Sequence, residues 1–141
     1  MRITLTLLLQ VAAVLHIGLM GAGLLMPQVV GMRSHLATVP PFVRHLFWVY
    51  YAFIGLCLVS FSVITFVYAD TLAAGGPLAR ALCVFFTLFW TLRLIAATFV
   101  FDMRPYLTTG LRCLGYHVIN VVFAYLPVVY ALAATQPSWL K

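Results

Sequence analysis

The sequence predicts an all-α protein, an integral membrane four-helix transmembrane bundle. Three observations carry that prediction. The 141 residues are 65% hydrophobic and 7% charged, with a mean hydropathy of +1.13, where a soluble domain carries about a quarter charged residues. Four apolar stretches, at about 3–26, 46–68, 81–101 and 114–134, are each long enough to cross a hydrocarbon core of about 30 Å at roughly 1.5 Å per helical residue. Between them lie Pro, Gly and charged residues, and nothing outside them has the length of a second, soluble domain, so residues 1–141 read as one membrane domain.

The first span, Ile3–Met26, follows Arg2. It is too long for the apolar region of a cleaved signal peptide, and Gln10 and His16 interrupt it, so it reads as retained. Gly18 and Ala22, four apart, would let another helix approach closely. Pro27 is expected to end this helix. Residues 27–45 form the longest connection, with Arg33, His35, Arg44 and His45 set among Val, Met and Leu. Such a mixture predicts a segment lying in the bilayer interface. Pro40–Pro41 marks a helix start with Thr38 as its expected cap.

The second span, Leu46–Tyr68, contains no charge, and its first turn can reach back to Pro41. Phe47, Trp48, Tyr50 and Tyr51 form an aromatic belt at headgroup level. Asp70 is expected to close the span, and residues 71–79 to make a Gly/Pro hairpin. The third span, Ala81–Phe101, carries one charge, Arg93, near its middle. Residues 102–112 read as a polar turn containing Arg104. The fourth span, Leu114–Ala134, holds His117, Asn120 and Tyr125, then Pro127, which should kink the helix and free the carbonyl of Phe123. The tail places Trp139 and Lys141 at the interface.

The formal charge is +6, from seven Arg, one Lys and two Asp with no Glu. These charges stand singly, without a basic stripe, which excludes nucleic-acid binding and directs the excess towards anionic lipid headgroups. Cys57, Cys83 and Cys113 lie far apart in or beside apolar stretches and read as small hydrophobes. Arg33, Arg44, Arg104 and Arg112 fall on one side of the bundle, and Arg2, Arg80 and Lys141 on the other. That balance is too even to set the orientation. The preference for Arg over Lys points to a GC-rich genome and a bacterial inner membrane.

An arginine at mid-span costs several kcal/mol unless something compensates it, so Arg93 is the natural candidate site. Counting residues from the end that faces the 27–45 connection, Arg93 lies ~12 Å deep, His16 ~15 Å, Asn120 ~9 Å, Tyr51 ~8 Å and His117 ~5 Å. Each helix therefore offers a polar group to the same half of the bilayer. Ala96 and Ala97 follow Arg93 by one turn and Ala12 and Ala13 precede His16 by one turn, so both residues are expected on packed faces. Convergence of Arg93, His16, Asn120 and His117 is the resulting expectation. No carboxylate lies at that depth: Asp102 is at the surface and Asp70 at the opposite end. Arg93 must then meet carbonyls and hydroxyls, a bound anion, or an acidic residue of a partner subunit.

Several chemistries are thinly supported. A b-type haem needs two histidines at matched depth. His45 and His117 come nearest, with Arg44 or Arg104 for the propionates, but no pair matches. A quinone-like head group asks only for a few donors in an apolar pocket, which His16, Arg93, Tyr51 and Asn120 would supply. No metal-ligand spacing, activated nucleophile or pore-lining stripe is present in the sequence. The first functional expectation is a binding subunit, without covalent chemistry of its own, that holds a lipid-soluble or anionic ligand near Arg93 beside other membrane subunits or further copies of itself. The alternatives are a purely structural assembly subunit, and a small enzyme or carrier for an anionic or lipid substrate.

Overall fold

The computed structural model describes residues 2–136, so Trp139 and Lys141 fall outside the described residues. Those described form an all-α four-helix bundle. The long helices are α1 (Arg2–Val29), α3 (Pro41–Val67), α5 (Pro77–Phe99) and α6 (Gly110–Thr135), joined by the short α2 (Met32–Ala37) and α4 (Ala69–Ala74) and a 3-10 turn at Arg104–Tyr106. All four long helices have the length and apolarity to cross a membrane. The protein is an integral membrane protein.

Helix ends depart from the sequence expectation for identifiable reasons. Helix α1 does not stop at Pro27 but runs through it to Val29. Proline lacks the N–H that would bond the carbonyl four residues back, which is that of Gly23. The Tyr51 hydroxyl of α3 donates to this freed carbonyl instead. The proline that was expected to end one helix therefore ties it to the next. Replacing Tyr51 by Phe should leave Gly23 without that donor and cost about 1 kcal/mol, read as a lower midpoint in detergent unfolding; an unchanged midpoint would show the bond carries no stability.

Thr38 does not cap α3. Its hydroxyl donates back to the His35 carbonyl at 2.9 Å, closing α2, while Pro40 stands at the cap position and the Arg44 amide bonds its carbonyl at 3.1 Å. Helix α3 thus starts at Pro41, ahead of the apolar run at Leu46, and lifts Arg44 and His45 into its first turns. Asp70 does not close it either. The helix ends at Val67, and Asp70 lies in the first turn of α4, accepting from Thr6 Oγ1 at 3.0 Å. The expected 71–79 hairpin is in fact α4 followed by Gly75 in the left-handed region at φ 77°. A side chain there would collide with Gln136, which donates to the Ala73 carbonyl at 2.8 Å. Helix α5 then begins at Pro77, a first-turn position proline tolerates, and α6 continues through Pro127 to Thr135.

The helices pack as two antiparallel hairpins. Helix α1 lies along α3 and α5 along α6, with α1 also touching α6 and α4 resting on α1. Buried residues crowd towards the α4 end: Leu5, Leu9 and Ala12 of α1, Leu72 and Ala73 of α4, Cys83, Phe86 and Trp90 of α5, and Leu126, Val129, Tyr130 and Ala133 of α6. Towards the other end the core thins. Helix α3 buries nothing before Phe61 and α6 nothing before Val122, while α5 beyond Trp90 buries only Ala97. The two hairpins are therefore clamped at the α4 end and splayed at the end that carries residues 30–40 and 100–109.

Gly18 and Ala22 sit on this splayed half. They were expected to admit a close helix contact, yet nothing lies within 4 Å of a side chain built at Gly18 or Gly21. Instead Gly18 and Ala22 of α1 and Gly115 of α6 leave an apolar crevice of about 270 Å³ between the two helices.

Candidate functional site

The floor of the splayed half is a polar and aromatic layer drawn from all four long helices. His16 of α1 is wholly buried. Its Nδ1 lies 2.6 Å from the Ala12 carbonyl, and its Nε2 accepts from Trp90 Nε1 of α5 at 3.2 Å. Both contacts are satisfied by one neutral tautomer, with the proton on Nδ1. Three rings surround the imidazole edge-on: Trp90 at 5.1 Å, and Phe61 of α3 and Tyr130 of α6 at 6.2 Å each. Tyr130 in turn shares a 2.5 Å hydrogen bond with Thr65 of α3, and Ser62 donates to the Ala13 carbonyl at 2.8 Å. Two bonds thus run between helices that are not backbone neighbours, α1 to α5 and α3 to α6. The gap between α3 and α5 is filled by rings, with Phe61 at 4.8 Å from Phe86 and 5.0 Å from Phe89. Among the described residues no buried side-chain nitrogen or oxygen lacks a partner. Each buried polar atom of the layer is thus partnered, and the layer ties the four helices together at this level.

Arg93 stands one turn above this floor. The buried positions of α5 are Ala79, Cys83, Phe86, Trp90 and Ala97, at steps of three, four or seven that mark one helix face. Arg93 follows Trp90 by three and precedes Ala97 by four, so it belongs to the same inward stripe. It is nevertheless exposed, because the bundle opens at its level. Its guanidinium lies over two aromatic faces, Phe123 of α6 at 5.3 Å and Phe101 at 5.5 Å. It meets Phe123, whose carbonyl Pro127 is expected to free, over the ring and not at the carbonyl.

Magnitudes show what this leaves undone. An arginine at the centre of a spanning helix costs about 3 kcal/mol on insertion scales, and each cation–π contact returns roughly 1 kcal/mol, up to ~2 when dry. Two rings offset much of the cost but take none of the five N–H donors. No hydrogen bond from Arg93 to a described residue is present. The two carboxylates of the chain are held elsewhere: Asp70 by Thr6, and Asp102 by the Arg104 amide at 3.1 Å.

The remaining predicted residues do not join Arg93. His16 is sealed in the floor. Asn120 is half-buried, and its amide donates to the Tyr116 carbonyl of its own helix at 2.9 Å. His117 is exposed and packs edge-on to Tyr116 at 5.5 Å. Tyr51 is taken by Gly23. His45 and Arg104 are exposed at the splayed end, and Arg44 is half-buried beside Trp48. The expected convergence of Arg93, His16, Asn120 and His117 is thus not what the structure holds. Equal depth did not mean a shared face: the four side chains find separate partners or none. Both nitrogens of His16 are engaged, while His45 and His117 are exposed.

Trp90, Thr65, Ser62 and Tyr130 are the members of the layer that sequence reasoning missed. Trp90 carried a readable signal. Tryptophan favours the membrane interface, so one at mid-span, whose N–H must find a partner, asks for an acceptor at its own depth. His16 is that acceptor. No protein-family model matches the chain, and no curated protein or solved structure is detectably similar to it.

Proposed function

We propose that the protein is a membrane binding subunit, part of a larger membrane complex in the bacterial inner membrane, whose splayed half takes the acidic head of a lipid-soluble ligand at Arg93. The supporting observation is the placement of Arg93: on the inward stripe of α5, at the level where the bundle opens, attended by rings and not by an acid. The rings hold the guanidinium against desolvation while leaving its fork free for bidentate pairing with a carboxylate or phosphate. The apolar part of such a ligand would lie between the hairpins, above the His16–Trp90 floor. A partner subunit's carboxylate would satisfy the same fork, which makes assembly the second reading.

Native mass spectrometry of the full chain from mild detergent tests both. The wild type should retain a defined acidic amphiphile. Arg93→Leu should lose it at least tenfold, whereas Arg93→Lys, which keeps the charge without the fork, should retain part. Equal retention by wild type and Arg93→Leu would sink the proposal, and loss of a co-purifying protein instead of a small molecule would establish the assembly reading.

A further inference from the structure

We infer that Arg33, Arg44 and Trp48 form a second site, built for the phosphodiester of an anionic glycerophospholipid headgroup. The three residues line one cavity of about 360 Å³, with Leu36 as its other wall. Arg33 and Leu36 come from α2, Arg44 and Trp48 from the first turns of α3, so the cavity lies where a short helix folds back on the start of a membrane span.

Two guanidinium groups facing one space repel each other unless an anion stands between them. The chain does not provide one. Residues 1–69 contain neither Asp nor Glu. Asp70 is bonded to Thr6, and Asp102, in the neighbouring connection, accepts from the amide of Arg104 in its own turn. The presentation of Arg33 is fixed locally. Gly31 takes the left-handed conformation at φ 61° to start α2, Ser34 donates to the Gly31 carbonyl at 2.6 Å, and Thr38 closes the turn on His35.

The rest of the cavity suits a lipid better than an ion alone. Trp48 is half-buried among Phe47 at 5.4 Å and Tyr51 at 5.8 Å, an aromatic group of the kind that stands at headgroup level. Leu36 and Trp48 offer apolar surface to a glycerol backbone, while the two arginines supply guanidinium N–H donors for the phosphate oxygens. A phosphodiester carrying a neutral polyol fits two cations. One carrying choline brings its own ammonium and fits worse. The site is independent of Arg93 and stands whether or not that residue binds a ligand.

The test is competition in native mass spectrometry. Full-length protein in mild detergent is offered equal amounts of phosphatidylglycerol and phosphatidylcholine. The wild type should retain the glycerol lipid over the choline lipid by about tenfold. The Arg33→Gln, Arg44→Gln double variant should lose that preference. Arg33→Lys with Arg44→Lys should keep part of it, and Arg80→Gln, at the opposite end of the bundle, should keep all of it. Undiminished preference in the double glutamine variant, or none in the wild type, overturns the site. Displacement of the lipid by millimolar inorganic phosphate overturns the lipid as occupant and identifies a free-phosphate site.

Discussion

Replacing Trp90 by alanine should destabilise the protein by about 3–5 kcal/mol, the range for emptying a buried tryptophan site. Trp90 is 1% exposed and sits at the centre of the layer. Its ring packs on His16 at 5.1 Å, Phe89 at 5.3 Å and Phe123 at 5.8 Å, and its N–H is the donor to His16 Nε2. Packing and hydrogen bond can be separated. Trp90→Phe keeps most of the ring volume but orphans a buried acceptor, which costs about 1–3 kcal/mol. His16→Leu combined with Trp90→Phe removes both partners, so the double variant should lose less than the sum of the two single changes. Unfolding by SDS titration from mild detergent, followed by circular dichroism, gives all four values. If the single changes simply add, the His16–Trp90 bond does not couple α1 to α5.

Replacing Leu72 by alanine should cost about 2–4 kcal/mol, which is large for a residue in a stretch that reads as a loop. Leu72 is 2% exposed, and with Ala69 at 2% and Ala73 at 6% it forms the inward face of α4. These side chains close the clamped end of the bundle, so the gap left by truncation has packed neighbours on its inner side. Leu78, only a few residues on, is 83% exposed, and Leu78→Ala should change stability by less than about 0.5 kcal/mol. Equal effects at the two positions would show that α4 is a tether and not part of the core.

The spans were legible in the sequence because bilayer thickness sets their length and hydrocarbon sets their composition. Their ends were less so, and the reasons are local. Pro27 reads as a stop, but the hydroxyl that satisfies Gly23 comes from Tyr51, far along the chain. Residues 69–74 read as a turn because Gly75, Gly76 and Pro77 follow at once, yet those residues only punctuate the join between α4 and α5. At the candidate site, depth was readable by counting residues. Facing was readable for Arg93 and His16 from the small residues one turn away, and His16 does face inward. What counting does not supply is the splay. Arg93 keeps its place on the inward stripe but loses the helices that would have covered it, so it parts company with His16 only one turn above Trp90. The buried polar layer was half visible: His16 stood out as a polar residue in an apolar run, while Thr65, Ser62 and Tyr130 look unremarkable until the helices cross.

Two helical hairpins clamped at one end and parted at the other behave mechanically as a pair of cantilevers. Deflection of such arms grows with distance from the clamp, so thermal displacement should be least around Leu72, Leu126 and Tyr130 and greatest at residues 30–40 and 100–109. Arg93 stands on one arm and the Arg33–Arg44 pair at the tip of the other. A ligand held at Arg93 with its apolar part between the hairpins would damp their relative motion. The Arg33–Arg44 site lies within one arm, so filling it would leave that motion unchanged, and side-chain order parameters at the tips of the arms would register the difference.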